Sequence, residues 1–224
     1  MVISLIIPIY NESAAIDSML AQLRDLSGKW QILFADGGST DDTVARIGND
    51  YCVIACPKGR AAQMNYAAEK ALGDVLWFVH CDSIIPRDAY ERICEAVSSG
   101  GQWGCFRIAF DYGGLFMAYN TYSSNRRAAR GIAFGDQGIF VKRELFCRMG
   151  GFPSLPIMED YQFSLNMRER GIPITQLSSS IVTSGRRYRT GHPVLIALRM
   201  VYLRCLYRRG VDINEIARRY RDIR

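Results

Sequence analysis

Four short apolar runs, VISLIIPI (2–9), WQILFA (30–35), CVIA (52–55) and VLWFV (75–79), recur in the first 80 residues, each followed by a helical pattern. In the first of those helical stretches, NESAAIDSMLAQLRDL, Ile16, Leu20 and Leu23 fall at helical spacing. STDDTVARIG, RAAQMNYAAEKAL and PRDAYERICEAV follow the other three runs. Strands of four to eight residues alternating with helices imply right-handed βαβ crossovers and a mainly parallel sheet. In such sheets a ligand sits beyond the carboxyl ends of the strands. The fourth run breaks off at His80, Cys81 and Asp82, polar groups at the place where a site belongs.

The second half is less regular. QWGCFRIAF reads as a strand, and GLFMAYNTYSSNRRAAR as either a helix or a long loop. GIFVKRELFCRMGGF reads as strand, short helix and glycine turn, and MEDYQFSLNMRERG as a helix starting near Glu159–Asp160 and ended by Gly171. No linker interrupts the 224 residues. The expectation is one α/β domain over residues 1–190, with residues 191–224 as its basic C-terminal helical extension.

With 49% hydrophobic and 22% charged residues the composition is that of an ordinary globular protein. The seven cysteines include no C-x-x-C pair, which argues against a disulfide framework or structural zinc and fits a reducing cytoplasm. The start, MVISLIIPIY, lacks a basic leader and reads as a first strand. No window reaches the roughly 18 apolar residues of a membrane span. The nearest, VLIALRMVYLRCLY (194–207), is interrupted by Arg199 and Arg204. The net charge of +6 is concentrated in the arginines of residues 186–224. Those helices can pack into a core or against another subunit, or lie on a membrane with their arginines snorkelling, so the inner membrane face joins the cytoplasm as an expected location. No aromatic-stacking motif, helix-turn-helix or zinc finger supports nucleic-acid binding.

Four clusters carry candidate chemistry: PIYNES (8–13), ADGGSTDD (35–42), HCDS (80–83) and IMEDYQ (157–162). Neither G-x-G-x-x-G nor G-x-x-x-x-G-K-[ST] is present, which lowers the case for dinucleotide or P-loop chemistry. Gly37 and Gly38 either admit a ligand close to backbone or make a turn with Ser39 as N-cap. Asp82 either holds a hard divalent cation shared with substrate phosphates or caps the helix near Pro86. Acids at 159 and 160 suit a helix dipole as well as a general base.

Taken in order, SLIIPIYNE, FADGGSTDDT, GRAAQMN, GDVLWFVHCDS, GIFVKRELFCRMGGF and MEDYQFSLNMRERG resemble the family 2 glycosyltransferases, a nucleotide-sugar-dependent group with the GT-A fold, over about Val2 to Gly171. The resemblance implies a nucleotide pocket at Pro8, Tyr10, Glu12, Asp36, Arg60 and Asn65, with His80 against ribose or phosphate. It implies Mg²⁺ or Mn²⁺ at Asp82 and a general base at Asp160 next to Glu159. Two positions depart from the family pattern: Gly37 replaces the second acid of the base-contacting pair, and His80 replaces the first aspartate of Asp-x-Asp. Asp136 either contacts donor sugar or acceptor from an acceptor-facing loop or sits in an ordinary turn; Arg187 and Arg189 belong to a basic lid over the phosphates or to a solvated loop, with His192 a candidate further metal or phosphate contact. The expected reaction is inverting transfer of a sugar, a UDP-sugar favoured, to a hydroxyl acceptor that a membrane-bound enzyme would take lipid-linked. A non-catalytic sugar-nucleotide-binding or scaffolding protein is the alternative; a nucleotidyltransferase would need a basic glycine-rich loop near the N-terminus, which PIYNESAA is not.

Overall fold

Val75–Phe78 (β4) is buried at all four positions because it lies mid-sheet. The computed structural model describes residues 1–185, 188 and 192–221. Its strands are β1 (Ile3–Ile9), β2 (Trp30–Asp36), β3 (Cys52–Ala55), β4, β5 (Trp103–Phe110), β6 (Ile139–Lys142) and β7 (Thr175–Thr183). They form one seven-stranded sheet in the order β3-β2-β1-β4-β6-β5-β7. β4 pairs parallel with β1, Ile6 opposite Phe78, and antiparallel with β6, Trp77 opposite Phe140. β6 is the reversed strand; β5 and β7 run parallel to each other.

Alternate strand residues enter two different cores. Ile3, Leu5, Ile7, Val75 and Trp77 pack with Ile16, Met19, Leu20 and Leu23 of α1 (Ile16–Arg24) and Ile93 of α4 (Ala89–Ser98). Ile6, Leu76 and Phe78 face the other way, onto Met64 and Ala67 of α3 (Arg60–Glu69), Phe146 of α6 (Arg143–Arg148) and Phe163 of α7 (Glu159–Glu169). Strands buried on both faces read as continuous apolar runs, which is why these were visible in the sequence. A third, smaller cluster joins Ile132, Met158 and Tyr161 to Leu203 of α8 (Pro193–Arg208) and Ile216 of α9 (Ile213–Arg221). The C-terminal helices thus dock beside the start of α7.

Several elements differ from the sequence expectation. α2 shrinks to Thr43–Ile47, because turns held by Asp36 and Asp41 occupy the residues before it. Ser39 therefore caps no helix. α4 begins at Ala89 with Asp88 before it, so Asp82 is not its cap. The ambiguous stretch after residue 114 is a helix, α5 (Leu115–Ala128). β7 carried no expectation at all. On α8 the apolar residues do not fill a core: Leu203 is buried, whereas Val194, Leu195, Leu198, Val201 and Tyr202 are 40–63% exposed. Among the described residues no helix is long and apolar enough to cross a membrane.

Candidate active site

The sheet brings four segments to one rim. β1, β2 and β4 end there, delivering residues 10–13, 37–43 and 80–83. Because β6 runs the other way, it begins at that rim, and the 3-10 turn Gly135–Gln137 before it arrives there too. A separate surface hollow lined by Ser99–Gln102, Pro173 and Thr175 opens at the amino ends of β5 and β7, away from this rim.

The loops after β1 and β2 are stitched together. Asn11 Oδ1 accepts from Thr40 N at 2.8 Å, and Glu12 N donates to Thr43 Oγ1 at 2.8 Å. The Asp36 carboxylate accepts from Ser39 N at 3.0 Å and Ser39 Oγ at 2.6 Å, holding the glycine-rich turn. Beneath it the buried Gln63 donates from Nε2 to Ile9 O and Ala35 O, both at 2.8 Å, and so ties the ends of β1 and β2. A Cβ at Gly37 would stand 2.9 Å from Gln63 Cδ. That clash is the physical reason no acid follows Asp36.

Pro8 sits at the end of β1, where its missing N–H faces the side of β4 beyond the last paired residue, and no ladder bond is lost. Tyr10 is exposed, with Lys58 Nζ donating to its hydroxyl at 2.8 Å and lying 3.9 Å from its ring centre. Cys81 is buried between these loops; burial, with Glu12 and Asp82 nearby, pushes its thiol up to about 12.

The chemically suggestive junction is at Gly135. Its N–H donates to Asp160 Oδ2 at 2.6 Å, and Tyr161 N donates to Asp160 Oδ1 at 2.6 Å. A Cβ on Gly135 would meet His80 Nε2 at 2.9 Å and Asp160 Oδ2 at 3.3 Å. His80 and Asp160, 80 residues apart, therefore flank one glycine that must stay bare. Both Asp160 oxygens are anchored by backbone donors, yet each keeps a second lone pair for a substrate proton. Glu159 is buried and pairs with Arg60 at 3.7 Å. Burial of the Arg60 guanidinium lowers its pKa, but Glu159, Asp160 and Asp136 outweigh this and leave it raised.

The other expected residues distribute as follows. The Asn65 amide is engaged at both ends by Phe152, Nδ2 donating to its carbonyl at 2.7 Å and Oδ1 accepting from its N–H at 2.8 Å. Asp136 lies in the turn beside Gly135. His192 is exposed immediately before α8. Arg187 and Arg189 lie outside the described residues. Among the described residues no group of three or more His, Cys, Asp or Glu forms a metal cage. Asp82 is an exposed single carboxylate past β4, a donor set that fits a hard cation shared with a substrate diphosphate and not an all-protein site. Gln63, Gly135, Arg127, Phe134 and Arg204 shape the site without having been singled out. Gly135 adjoins the expected Asp136, but its neighbours His80 and Asp160 come from distant segments.

A mostly parallel sheet with one reversed strand, polar groups past β4 and paired acids opening α7 define the GT-A, nucleotide-diphospho-sugar transferase fold. The family model described as Glycosyl transferase family 2 matches residues 4–147, and the chain belongs to that family. No curated protein matches the chain. Among solved structures, the mannosyltransferase PcManGT of Pyrobaculum calidifontis, in complex with GDP-Man and Mn²⁺, superposes with a TM-score of 0.63 at 20% identity, over 90% of this chain and 60% of its own. TarS (1–349) of S. aureus with UDP-GlcNAc gives 0.67 at 17% identity, over 82% and 58%. Glucosyl-3-phosphoglycerate synthase of Mycobacterium tuberculosis, in complex with Mn²⁺, UDP and glucosyl-3-phosphoglycerate, gives 0.62 at 19%, over 94% and 81%. The chain thus spans only about three fifths of the first two.

Proposed function

We propose that the chain is an inverting glycosyltransferase that moves a sugar from a nucleoside-diphosphate donor, UDP favoured, to an acceptor hydroxyl. The observation that carries this reading is the Asp160 carboxylate held by two backbone N–H groups next to His80, beyond the carboxyl end of β4. The acceptor oxygen attacks the anomeric carbon on the face opposite the diphosphate. Its proton passes to Asp160, and the bond to the diphosphate breaks with the electron pair leaving on phosphate oxygen. A base so placed contributes about 10²–10⁴-fold. Asp82, with His80 nearby, would hold Mg²⁺ or Mn²⁺, which when bound supplies positive charge to the departing diphosphate. Mn²⁺ accompanies two of the structural neighbours. The loops of Pro8, Tyr10, Glu12 and Asp36 would take the nucleoside.

The first experiment is thermal stability against UDP-, GDP-, CMP- and TDP-sugars with and without Mn²⁺ or Mg²⁺. A ligand at 100 times its dissociation constant adds about 2.7 kcal/mol. A metal-dependent shift with one nucleotide, lost in Asp82→Ala, is expected; no shift with any of them would reject the reading. Binding without donor turnover would favour instead a sugar-nucleotide-binding module, the option raised by Gly37 and His80.

The same reading extends to a membrane. In this reading residues 1–190 are the transferase domain and residues 191–224, which include α8 and α9, are its extension towards a surface. Leu115, Tyr119 and Tyr122 on α5 and Val194, Leu195, Leu198, Val201 and Tyr202 on α8 are exposed at helical spacing. Arg126, Arg130, Arg199, Arg208 and Arg209 belong to the same helices or their ends. A second copy would set arginines against arginines, whereas an anionic bilayer complements them. Sedimentation with phosphatidylglycerol vesicles, reduced in Leu198→Glu and absent with phosphatidylcholine, is expected; equal recovery of the variant would refute it.

A further inference from the structure

Two arginines from different helices converge on one ring at the base of the site. The guanidinium carbon of Arg127, on α5, lies 3.7 Å from the centre of the Phe134 ring, and that of Arg204, on α8, lies 5.4 Å from it. Arg127 is anchored: Nε donates to Ile132 O at 3.3 Å and Nη2 to Gln137 Oε1 at 3.1 Å. Gln137 Oε1 also accepts from Phe134 N at 3.2 Å, and the next N–H along the chain, that of Gly135, is the one that holds Asp160. The two guanidinium groups are therefore a single residue removed from the base.

Neither arginine forms an ion pair among the described residues, and Arg204 makes no hydrogen bond to them. Stacking on Phe134 satisfies faces and leaves N–H edges to be filled. Burial lowers both arginines below their ordinary pKa, and each also feels charges around it: Arg127, pulled to about 10, is pushed further down by Arg204 and supported by Asp136 and Asp160. Two like charges partly withdrawn from water are costly unless an anion completes the set. Both residues are half-buried and not enclosed. Guanidinium edges suit phosphate or carboxylate, which they bind bidentately.

We propose that Arg127 and Arg204 form an anion subsite for the acceptor, so that the hydroxyl to be glycosylated belongs to a molecule carrying a phosphate or carboxylate held at Phe134. The anion fixes the molecule, and its hydroxyl is presented to Asp160. This assignment rests on the reading of Asp160 as the base.

The test is calorimetric titration of the full chain, first with UDP and Mn²⁺, then with inorganic phosphate and separately with acetate while UDP and Mn²⁺ are saturating. Phosphate or acetate is expected to bind the UDP-loaded protein. Arg204→Gln should weaken that binding at least tenfold, and Arg204→Lys should restore part of it, with UDP affinity unchanged in both. Arg204 makes no ion pair or hydrogen bond among the described residues, so the folded state of these variants is checked by an unchanged melting temperature. No binding of either anion to UDP-loaded protein, equal binding by Arg204→Gln, or displacement of phosphate by UDP would overturn the assignment, the last by showing that the arginines serve the donor diphosphate. Failure of UDP itself to bind would reject the transferase reading, and is seen in the first titration.

Discussion

Replacing Asp160 by asparagine tests both the chemistry and the geometry of the proposed base. The carboxylate accepts from Gly135 N and Tyr161 N, each at 2.6 Å. An asparagine keeps one acceptor oxygen and turns its NH2 towards the other backbone N–H, so one charge-assisted bond is lost. Such a bond is worth about 1.5–3 kcal/mol. In a chain of this size 1 kcal/mol moves the melting temperature by roughly 2–4 °C, so a fall of about 3–12 °C is expected. The loops after β1, β2 and β4 are untouched, so donor affinity should hold. Turnover, followed as nucleoside diphosphate released from the donor, should fall about 10²–10⁴-fold because the carboxylate proposed to take the proton is gone. Unchanged turnover in the folded variant would remove Asp160 from the mechanism. An unchanged melting temperature would contradict the paired backbone contacts.

Gly135→Ala should cut turnover by about 10²-fold with little change in melting temperature, since its methyl displaces His80 and Asp160 by fractions of an ångström at a partly exposed position; full activity in the variant would refute the close approach. Gln63→Ala strips the carbonyls of Ile9 and Ala35 of their shared donor and should cost about 2–3 kcal/mol, read as a denaturation midpoint. Thiol labelling at pH 8 should modify the exposed Cys52, Cys147 and Cys205 first, and spare Cys105 and Cys81, whose thiols burial raises to about 12. A thiol raised on folding stabilises the protein below its unfolded pKa, and that contribution disappears as pH rises from about 9 towards 12. Asp41 has the opposite sign. The Thr43 hydroxyl helps hold its carboxyl at about 2, so its contribution is full above the ordinary 3.8 and lost as pH falls through 2; Asp41→Asn should flatten that acid limb of a stability–pH curve.

The first half of the fold was legible because β1 and β4 are buried on both faces and so appear as unbroken apolar runs. β7 was not: TQLSSSIVT buries only Leu177, Ile181 and Thr183, and its polar serines conceal an edge strand that pairs with β5 on one side. The apolar residues of α8 left core, subunit and membrane packing open, because apolar content does not say which face finds a partner, and here the stripe from Val194 to Tyr202 found none among the described residues. In the site, Asp82 and Asp160 stood out by local pattern. The meeting of His80, Gly135 and Asp160 did not, because it depends on β6 inserting backwards between β4 and β5. Arg127 and Arg204 were hidden for the same reason, each looking like one more arginine on a basic helix.

That insertion of β6 has a further consequence for how the chain can be divided. The four strands β3-β2-β1-β4 follow one another within the first 78 residues and look like a free-standing nucleotide module. Yet the second backbone edge of β4 is covered by β6, which pairs Lys142, Val141 and Phe140 with Val75, Leu76 and Trp77. Cut between residues 79 and 138, the fragment would present Val75–Phe78 as a bare apolar edge, a ready template for another chain. On the ribosome the same edge stays uncovered until β6 has emerged, so the interval between the two strands is when this protein is most exposed to aggregation.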